Sequence, residues 1–229
     1  MQINNLIKQT SKLNWQEKLI FISDNFQNIV FSTSFSIEDQ LILDFIVRSN
    51  LKIEIFTIDT GRLPKATYDV WQSSLEKYKI KILPFYPHNK DLENFVSASG
   101  INAFYESIEL RKKCCFLRKV EPLRRALKGK NLWISGVRKE HSNDRNNKEF
   151  FEFDESLNLT KFYPLLEISE EEIWQVINQN SIPFNRLYKE GYKSIGCDPC
   201  SRKISQDEDA RDGRWWWERE GNKECGLHK

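Results

Sequence analysis

Five cysteines carry most of the potential chemistry of this 229-residue chain, and they fall into three groups. Cys114 and Cys115 are adjacent, Cys197 and Cys200 form a C-x-x-C, and Cys225 stands alone near the C-terminus. Four plus one suggests a four-thiolate centre and one reactive thiol. Four thiolates from two loops fit either a zinc ion or a [4Fe–4S] cluster. Zinc sites commonly use C-x-x-C twice, so the adjacent pair tilts the expectation toward iron–sulfur. A vicinal disulfide and buried free thiols are the plain alternatives. Adjacent side chains normally point apart, so both cysteines reach one centre only where the backbone bends.

The surroundings of the cysteines are basic. Arg111, Lys112, Lys113, Arg118 and Lys119 flank the adjacent pair. Such a run is usually a solvated face, but an anionic centre and an anionic ligand both need compensating charge. Lys119 lies five residues after Cys114 and four after Cys115, which places it near them if the segment is helical. Arg138, Arg145, Arg202, Arg211 and Arg214 punctuate loop-like sequence, and arginine suits bidentate recognition of sulfate or phosphate. Trp215, Trp216 and Trp217 cannot all occupy one face of a regular element. If the tail folds over a site lined with arginines, the Cys225 thiol becomes a nucleophilic thiolate. His228 could assist it, although a lone terminal histidine is more often simply exposed.

Two strand ends offer further candidates. Ser34, Phe35 and Ser36 lead from a strand into a helix, where hydroxyls and free N–H groups make an anion pocket. The bland reading is N-capping by Ser34 or Ser36. No Gly-rich Walker signature occurs there. Asp59-Thr60-Gly61-Arg62 closes another strand, with Asp59 and Gly61 at a usual ligand edge, or in an ordinary tight turn.

The elements that must position these residues alternate apolar runs with amphipathic stretches. Trp15–Asn25, Glu38–Ser49 and Lys65–Tyr78 read as helices. Ile29–Ser32, Ile53–Ile58, Lys79–Pro84 and Asn131–Ser135 read as strands. This βαβα rhythm predicts an α/β fold with an open, mostly parallel sheet and helices on both faces. Ser169, followed by three glutamates, predicts a helix start that continues through Ile173–Gln179. From Gly191 onward little reads as regular core. The expected division is therefore 1–190, an α/β part with half of the cysteine site, and 191–229, with the C-x-x-C, the Arg/Trp region and Cys225, together one structural domain.

Hydrophobic residues make up 39% and charged residues 30%, as suits a globular protein with a real core. The formal net charge of +2 gives no support for wholesale nucleic-acid or membrane-surface binding, so any anion site is local. Met1 to Asn14 has no apolar core of signal-peptide type, and runs such as Leu41–Val47 are too short to span a bilayer. The expectation is a cytoplasmic protein, and in that compartment structural disulfides are rare.

Seven stretches taken in order resemble the assimilatory adenylyl-sulfate and phosphoadenylyl-sulfate reductases. They are Ser34–Asp39, Ile58–Arg62, Cys114–Leu123, Ile134–Glu140, Gly191–Cys200, Ala210–Trp217 and Glu224–His228. The resemblance implies an adenine-nucleotide α-hydrolase-like fold, with a nucleotide-binding domain and a modified pyrophosphate loop at Ser34–Asp39. It implies a [4Fe–4S] cluster on Cys114, Cys115, Cys197 and Cys200, and catalysis by Cys225. It implies substrate contacts from Lys119, Arg211 and Arg214, and a looser match at Arg145, where His141-Ser142-Asn143-Asp144 departs from the family pattern. Ser34, Phe35, Ser36, Asp59, Gly61 and Arg138 complete the expected substrate-binding set.

The reaction so implied is thioredoxin-dependent reduction of adenylyl sulfate to sulfite and AMP through a cysteine S-sulfonate. The full cysteine set favours adenylyl sulfate over its 3′-phosphorylated form, or over use of both. A nucleotide-dependent sulfurtransferase or adenylating enzyme of the same superfamily is the alternative, and the lack of a Gly-Gly pyrophosphate loop counts against it. A zinc-stabilised binding module is a further alternative. The expected partners are adenylyl sulfate and thioredoxin or a similar thiol donor, with no nucleic acid and no membrane; a homo-oligomer is compatible with the sequence.

Overall fold

The computed structural model of the chain describes residues 3–141, 145 and 147–218. A six-stranded sheet runs in the order β3-β2-β1-β4-β6-β5. Its strands are β1 (Ile29–Ser32), β2 (Glu54–Ile58), β3 (Leu83–Phe85), β4 (Leu132–Ile134), β5 (Phe151–Asp154) and β6 (Leu159–Phe162). β1 is parallel to β2 and β4, and β4 is parallel to β6, while β5 returns antiparallel to β6. The mostly parallel α/β sheet expected from the sequence is observed. Parallel strands covered on both faces need apolar residues at nearly every position. Val30, Phe31, Leu132, Ile134 and Phe162 are accordingly fully buried, each stabilising the fold by about 2 kcal/mol.

The helices are α1 (Ile3–Thr10), α2 (Trp15–Asn25), α3 (Ile37–Arg48), α4 (Lys65–Tyr78), α5 (Asn89–Ser99), α6 (Ile108–Cys115), α7 (Glu121–Leu127) and α8 (Glu170–Gln179). Local chemistry sets their ends. Asn14 and Glu17 form a capping box at the start of α2, and Ser169 and Glu172 form another at α8. Each box satisfies two N–H groups that would otherwise lack partners. One strand differs from expectation. Of the run Lys79–Pro84 only Leu83 and Pro84 are strand, because β3 begins at Leu83. Lys79 adopts a left-handed conformation (φ 52°) and its N–H still donates to the Leu75 carbonyl at 3.0 Å, so the chain is leaving α4 there.

The chain forms two compact units. The first comprises Met1–Phe56, Ala66–Leu83 and Leu127–Asn185; the second comprises Thr57–Lys65, Pro84–Ala126 and Arg186–Lys229. The last segment of the second unit starts at Arg186. Two stretches remote in sequence join it, and composition alone does not set them apart. Among the described residues, no helix is long and apolar enough to cross a membrane.

Candidate active site: a four-cysteine recess and a serine loop

In the second unit, Cys114 and Cys115 end α6, and Cys197 and Cys200 flank a 3₁₀ turn over Asp198–Cys200. All four are free thiols. They line one recess of about 340 Å³, counting its open mouth. The bend that adjacent cysteines require follows them directly, as a π-helical turn over Phe116–Val120. Glu121 closes it by donating its N–H to the Phe116 carbonyl. An i to i+5 turn stacks a residue over the one five positions earlier, where an α-helix would rotate it aside. Lys119 lies within this turn, and Cys114 precedes it in α6. Lys119 is only 8% exposed and lines the recess beside the cysteines.

The turn after β2 supplies the next contacts in the same unit. Thr60 Oγ1 lies 3.3 Å from Cys197 Sγ. The Thr60 carbonyl accepts a 2.6 Å hydrogen bond from Arg118 Nη1. Asp198 N–H donates to the Arg62 carbonyl at 2.8 Å, tying the C-x-x-C turn to the same stretch. Asp59 Oδ1 accepts from Gly61 N–H at 2.8 Å, and Gly61 has φ +68°. Asp59 and Gly61 thus build the tight turn that presents Thr60 and the Arg62 carbonyl.

The Arg/Trp region closes the other side. The three tryptophans take three environments: Trp215 is 1% exposed, Trp216 is exposed, and Trp217 packs on Tyr105 at 4.4 Å between ring centroids. Arg111 and Arg214 lie over the Trp215 ring at 4.6 and 5.0 Å, favourable cation–π positions. Arg111 is fixed by a bidentate pair with Glu218 at 2.8 and 2.9 Å. Arg214 Nε donates to the Cys200 carbonyl at 3.0 Å. The Arg214 guanidinium rests directly on Gly196, where any Cβ would stand 2.3 Å from Nη2. Only glycine admits that approach.

Burial and charge act on the thiols in opposite directions. Burial pushes the Cys200 thiol up to about 12 and also raises Cys114. Cys197 feels the same burial, but Lys119, the Thr60 hydroxyl, Arg214 and Arg118 together bring it below the ordinary thiol value. Arg118 Nε, Arg214 Nη2 and Trp215 Nε1 are buried N–H donors with no partner among the described residues. Such donors call for an acceptor. Among the described residues, no group of three or more His, Cys, Asp or Glu side chains is placed to hold a metal ion. A cluster is wider than one ion, and four thiols around a recess edged by cations and orphan donors fit a polynuclear, anionic centre.

In the first unit, the chain leaves β1 and enters α3 through Ser34-Phe35-Ser36. Ser36 is the N-cap of α3, its Oγ accepting from Asp39 N–H at 3.2 Å. Ser34 donates both its N–H (2.6 Å) and its hydroxyl (2.7 Å) to Asp39 Oδ2. Phe35 has φ +62°, is buried, and stacks on Trp71 with centroids 5.5 Å apart. A left-handed phenylalanine stores about 1–3 kcal/mol of strain, held here by the bonds on either side. β1 and β4 are neighbours at the point where the strand order turns back, the usual ligand crevice of open α/β sheets.

Arg138, expected among the substrate-binding residues, is buried beside the start of α3. Its Nε pairs with Glu38 at 2.8 Å, both side chains being 1% exposed, and Nη1 donates to Glu140 Oε2 and the Ile168 carbonyl. It therefore pins the start of α3. Arg145 is buried in the first unit, where its charge acts on the Tyr163 hydroxyl. Arg202 is engaged by Glu208. Arg211 is half-buried, and its carbonyl accepts from Arg214 N–H at 2.9 Å. Cys225 and His228 lie outside the described residues. Thr60, Arg118 and Trp215 were noted in the sequence only as members of a strand-end turn, a basic run and a tryptophan triplet, without a role at the site; the strand-end position of Thr60 was the available signal.

The pattern described as the phosphoadenosine phosphosulfate reductase domain matches residues 28–203. An adenosine 5′-phosphosulfate reductase of Allochromatium vinosum is 42% identical over 213 residues, 93% of this chain and 83% of that protein. One of Neisseria meningitidis serogroup B is 41% identical over 215 residues, 93% of this chain and 87% of that protein. The crystal structure of phosphoadenylyl-sulfate reductase from Candida auris, a phosphate complex, superimposes with a TM-score of 0.76 at 29% identity, covering 88% of this chain and 96% of that one.

Proposed function

The chain belongs to the phosphoadenosine phosphosulfate reductase family, and on that footing we propose that it reduces adenylyl sulfate to sulfite and AMP. The observation that carries the reading is the set of four free thiols beside Lys119 in one recess. The relatives with 41–42% identity bear the name adenosine 5′-phosphosulfate reductase.

The chemistry is covalent catalysis that splits one hard displacement into two easier ones. The Cys225 thiolate attacks the sulfonyl sulfur of adenylyl sulfate. An S–S bond forms, the S–O bond breaks, and AMP leaves with the electron pair. A thiolate of reduced thioredoxin, or a similar dithiol protein, then attacks Cys225 Sγ and expels sulfite with its electron pair. The second thiol of the donor resolves the mixed disulfide and restores Cys225. The donor is oxidised by two electrons and sulfur is reduced by two.

In the second unit Lys119, Arg211 and Arg214 are the proposed contacts to anionic oxygens of the substrate, with Asp59 and Gly61 shaping the turn beside them; in the first unit Ser34, Phe35, Ser36 and Arg145 are the proposed substrate-binding residues. Arg138, paired with Glu38 and Glu140, is a further proposed substrate contact of the first unit. Cys114, Cys115, Cys197 and Cys200 would hold a [4Fe–4S] cluster, whose contribution when bound is fixed negative charge that orients Lys119. A cytoplasmic, reducing setting keeps these thiols reduced.

Anaerobically purified protein should contain iron and sulfide and release AMP and sulfite from adenylyl sulfate when a reduced dithiol protein is supplied. Turnover of only the 3′-phosphorylated substrate would reassign the specificity. ATP-dependent release of pyrophosphate with no sulfite would sink the reading.

A further inference from the structure

Asp39 is a buried carboxyl that the proposed chemistry leaves without a task, and it sits inside the loop proposed to receive the nucleotide. Its Oδ2 takes both donors of Ser34, the N–H at 2.6 Å and the hydroxyl at 2.7 Å. Its own N–H donates to Ser36 Oγ at 3.2 Å. Oδ1 faces Gly136, the residue after the end of β4, where an added Cβ would stand only 2.5 Å away. The carboxyl is thus held on three sides, and the left-handed Phe35 is spanned by its bonds.

This arrangement has a consequence for an anion. While Asp39 is ionised it only accepts, so the Ser34 hydroxyl must donate inward and turns a lone pair toward any ligand. An anionic oxygen needs the opposite, a donor. A protonated Asp39 can donate to Ser34 Oγ, which frees the Ser34 O–H to point at the ligand.

We propose that Asp39 is the positioning residue that sets the hydrogen-bond direction of Ser34, and that binding of an anionic nucleotide at this loop takes up one proton from solvent at Asp39. The proposal rests on the reading that adenylyl sulfate is the ligand. Protonation is within easy reach: burial pushes the Asp39 carboxyl up to about 6, with repulsion from Glu38 adding to it and the two Ser34 bonds opposing it. The other charged groups at this place do not substitute for it. Glu38 is paired with Arg138, which also holds Glu140, and the Ser34 and Ser36 hydroxyls are neutral.

Adenylyl sulfate has no phosphate or sulfate proton to lose near neutrality, so its binding reports on the protein. The test is its affinity across about pH 5.5 to 8 for the anaerobically purified full chain carrying C225S, which prevents turnover, and for the same chain with D39N or D39A added. Binding should weaken above about pH 6, approaching about tenfold per pH unit, in the C225S chain. D39N, whose amide donates as the neutral acid does, should bind without this slope and near the low-pH affinity. D39A should bind weakly at every pH while its melting transition shows a folded protein. A flat C225S profile, a D39N chain that keeps the slope, or D39N as weak as D39A throughout would overturn the inference alone. No binding by any of the three chains would overturn the functional reading, and this inference with it.

Discussion

Thr60 Oγ1 stands 3.3 Å from Cys197 Sγ while the Thr60 carbonyl accepts from Arg118 Nη1, so a single residue grips one thiol and one cation of the recess. A hydrogen bond between a hydroxyl and a thiol contributes about 0.5–1.5 kcal/mol. Thr60→Val keeps the shape and removes that bond. Its denaturant midpoint under anaerobic conditions should fall by a corresponding amount, and Thr60→Ser should restore most of it. A wild-type midpoint in Thr60→Val would mean the contact carries no weight.

The Arg138–Glu38 pair is buried on both sides, and removal of one partner strands a charge. Arg138→Met should cost about 3–5 kcal/mol. The double variant Arg138→Met with Glu38→Leu should recover much of this, because no charge is then left in the core. Equal denaturation midpoints for the single and double variants would contradict a buried pair.

Stability should also depend on pH through Asp39. Its carboxyl titrates near 6 when folded against an ordinary value of 3.8, so the folded state keeps a proton that the unfolded chain releases in between. The stabilisation is complete below the lower value and is lost as pH rises through about 6, up to about 3 kcal/mol in all. Denaturation of wild type and Asp39→Asn at several pH values in that window reads it directly. The wild type should lose stability relative to the variant as pH rises, and parallel profiles would refute the burial effect.

Much of this was legible in the sequence, for identifiable reasons. α2 and α4 were legible as amphipathic stretches, and β1 as the unbroken apolar run Ile29-Val30-Phe31. The cysteine grouping and the nearness of Lys119 to it also followed from spacing. The π turn that carries Lys119 did not, because nothing in Phe116–Val120 differs in type from an ordinary helix. The role of Thr60 was hidden because its partners, Cys197 and Arg118, lie far along the chain. Arg138 was singled out because its type suits anions, and only the fold shows its carboxylate partners.

Lys119 has few ways to be replaced. Lysine in this position lies near both Cys197 and Cys200, with its charge acting on each. Lys119→Ala should raise the KM for adenylyl sulfate by roughly tenfold to a hundredfold, the equivalent of one charge-assisted bond. Steady-state kinetics at fixed thiol donor would show this, and an unchanged KM would remove Lys119 from the proposed substrate contacts.

The account turns on Cys225 as the nucleophile. Intact-protein mass spectrometry after incubation with adenylyl sulfate, without a thiol donor, tests it most directly. The account predicts one added SO₃ group, mapped to Cys225 by peptide analysis, released when reduced thioredoxin is added, and absent from Cys225→Ser. Sulfite formation on addition of reduced thioredoxin by a protein that never carries this adduct, or by Cys225→Ser, would contradict it.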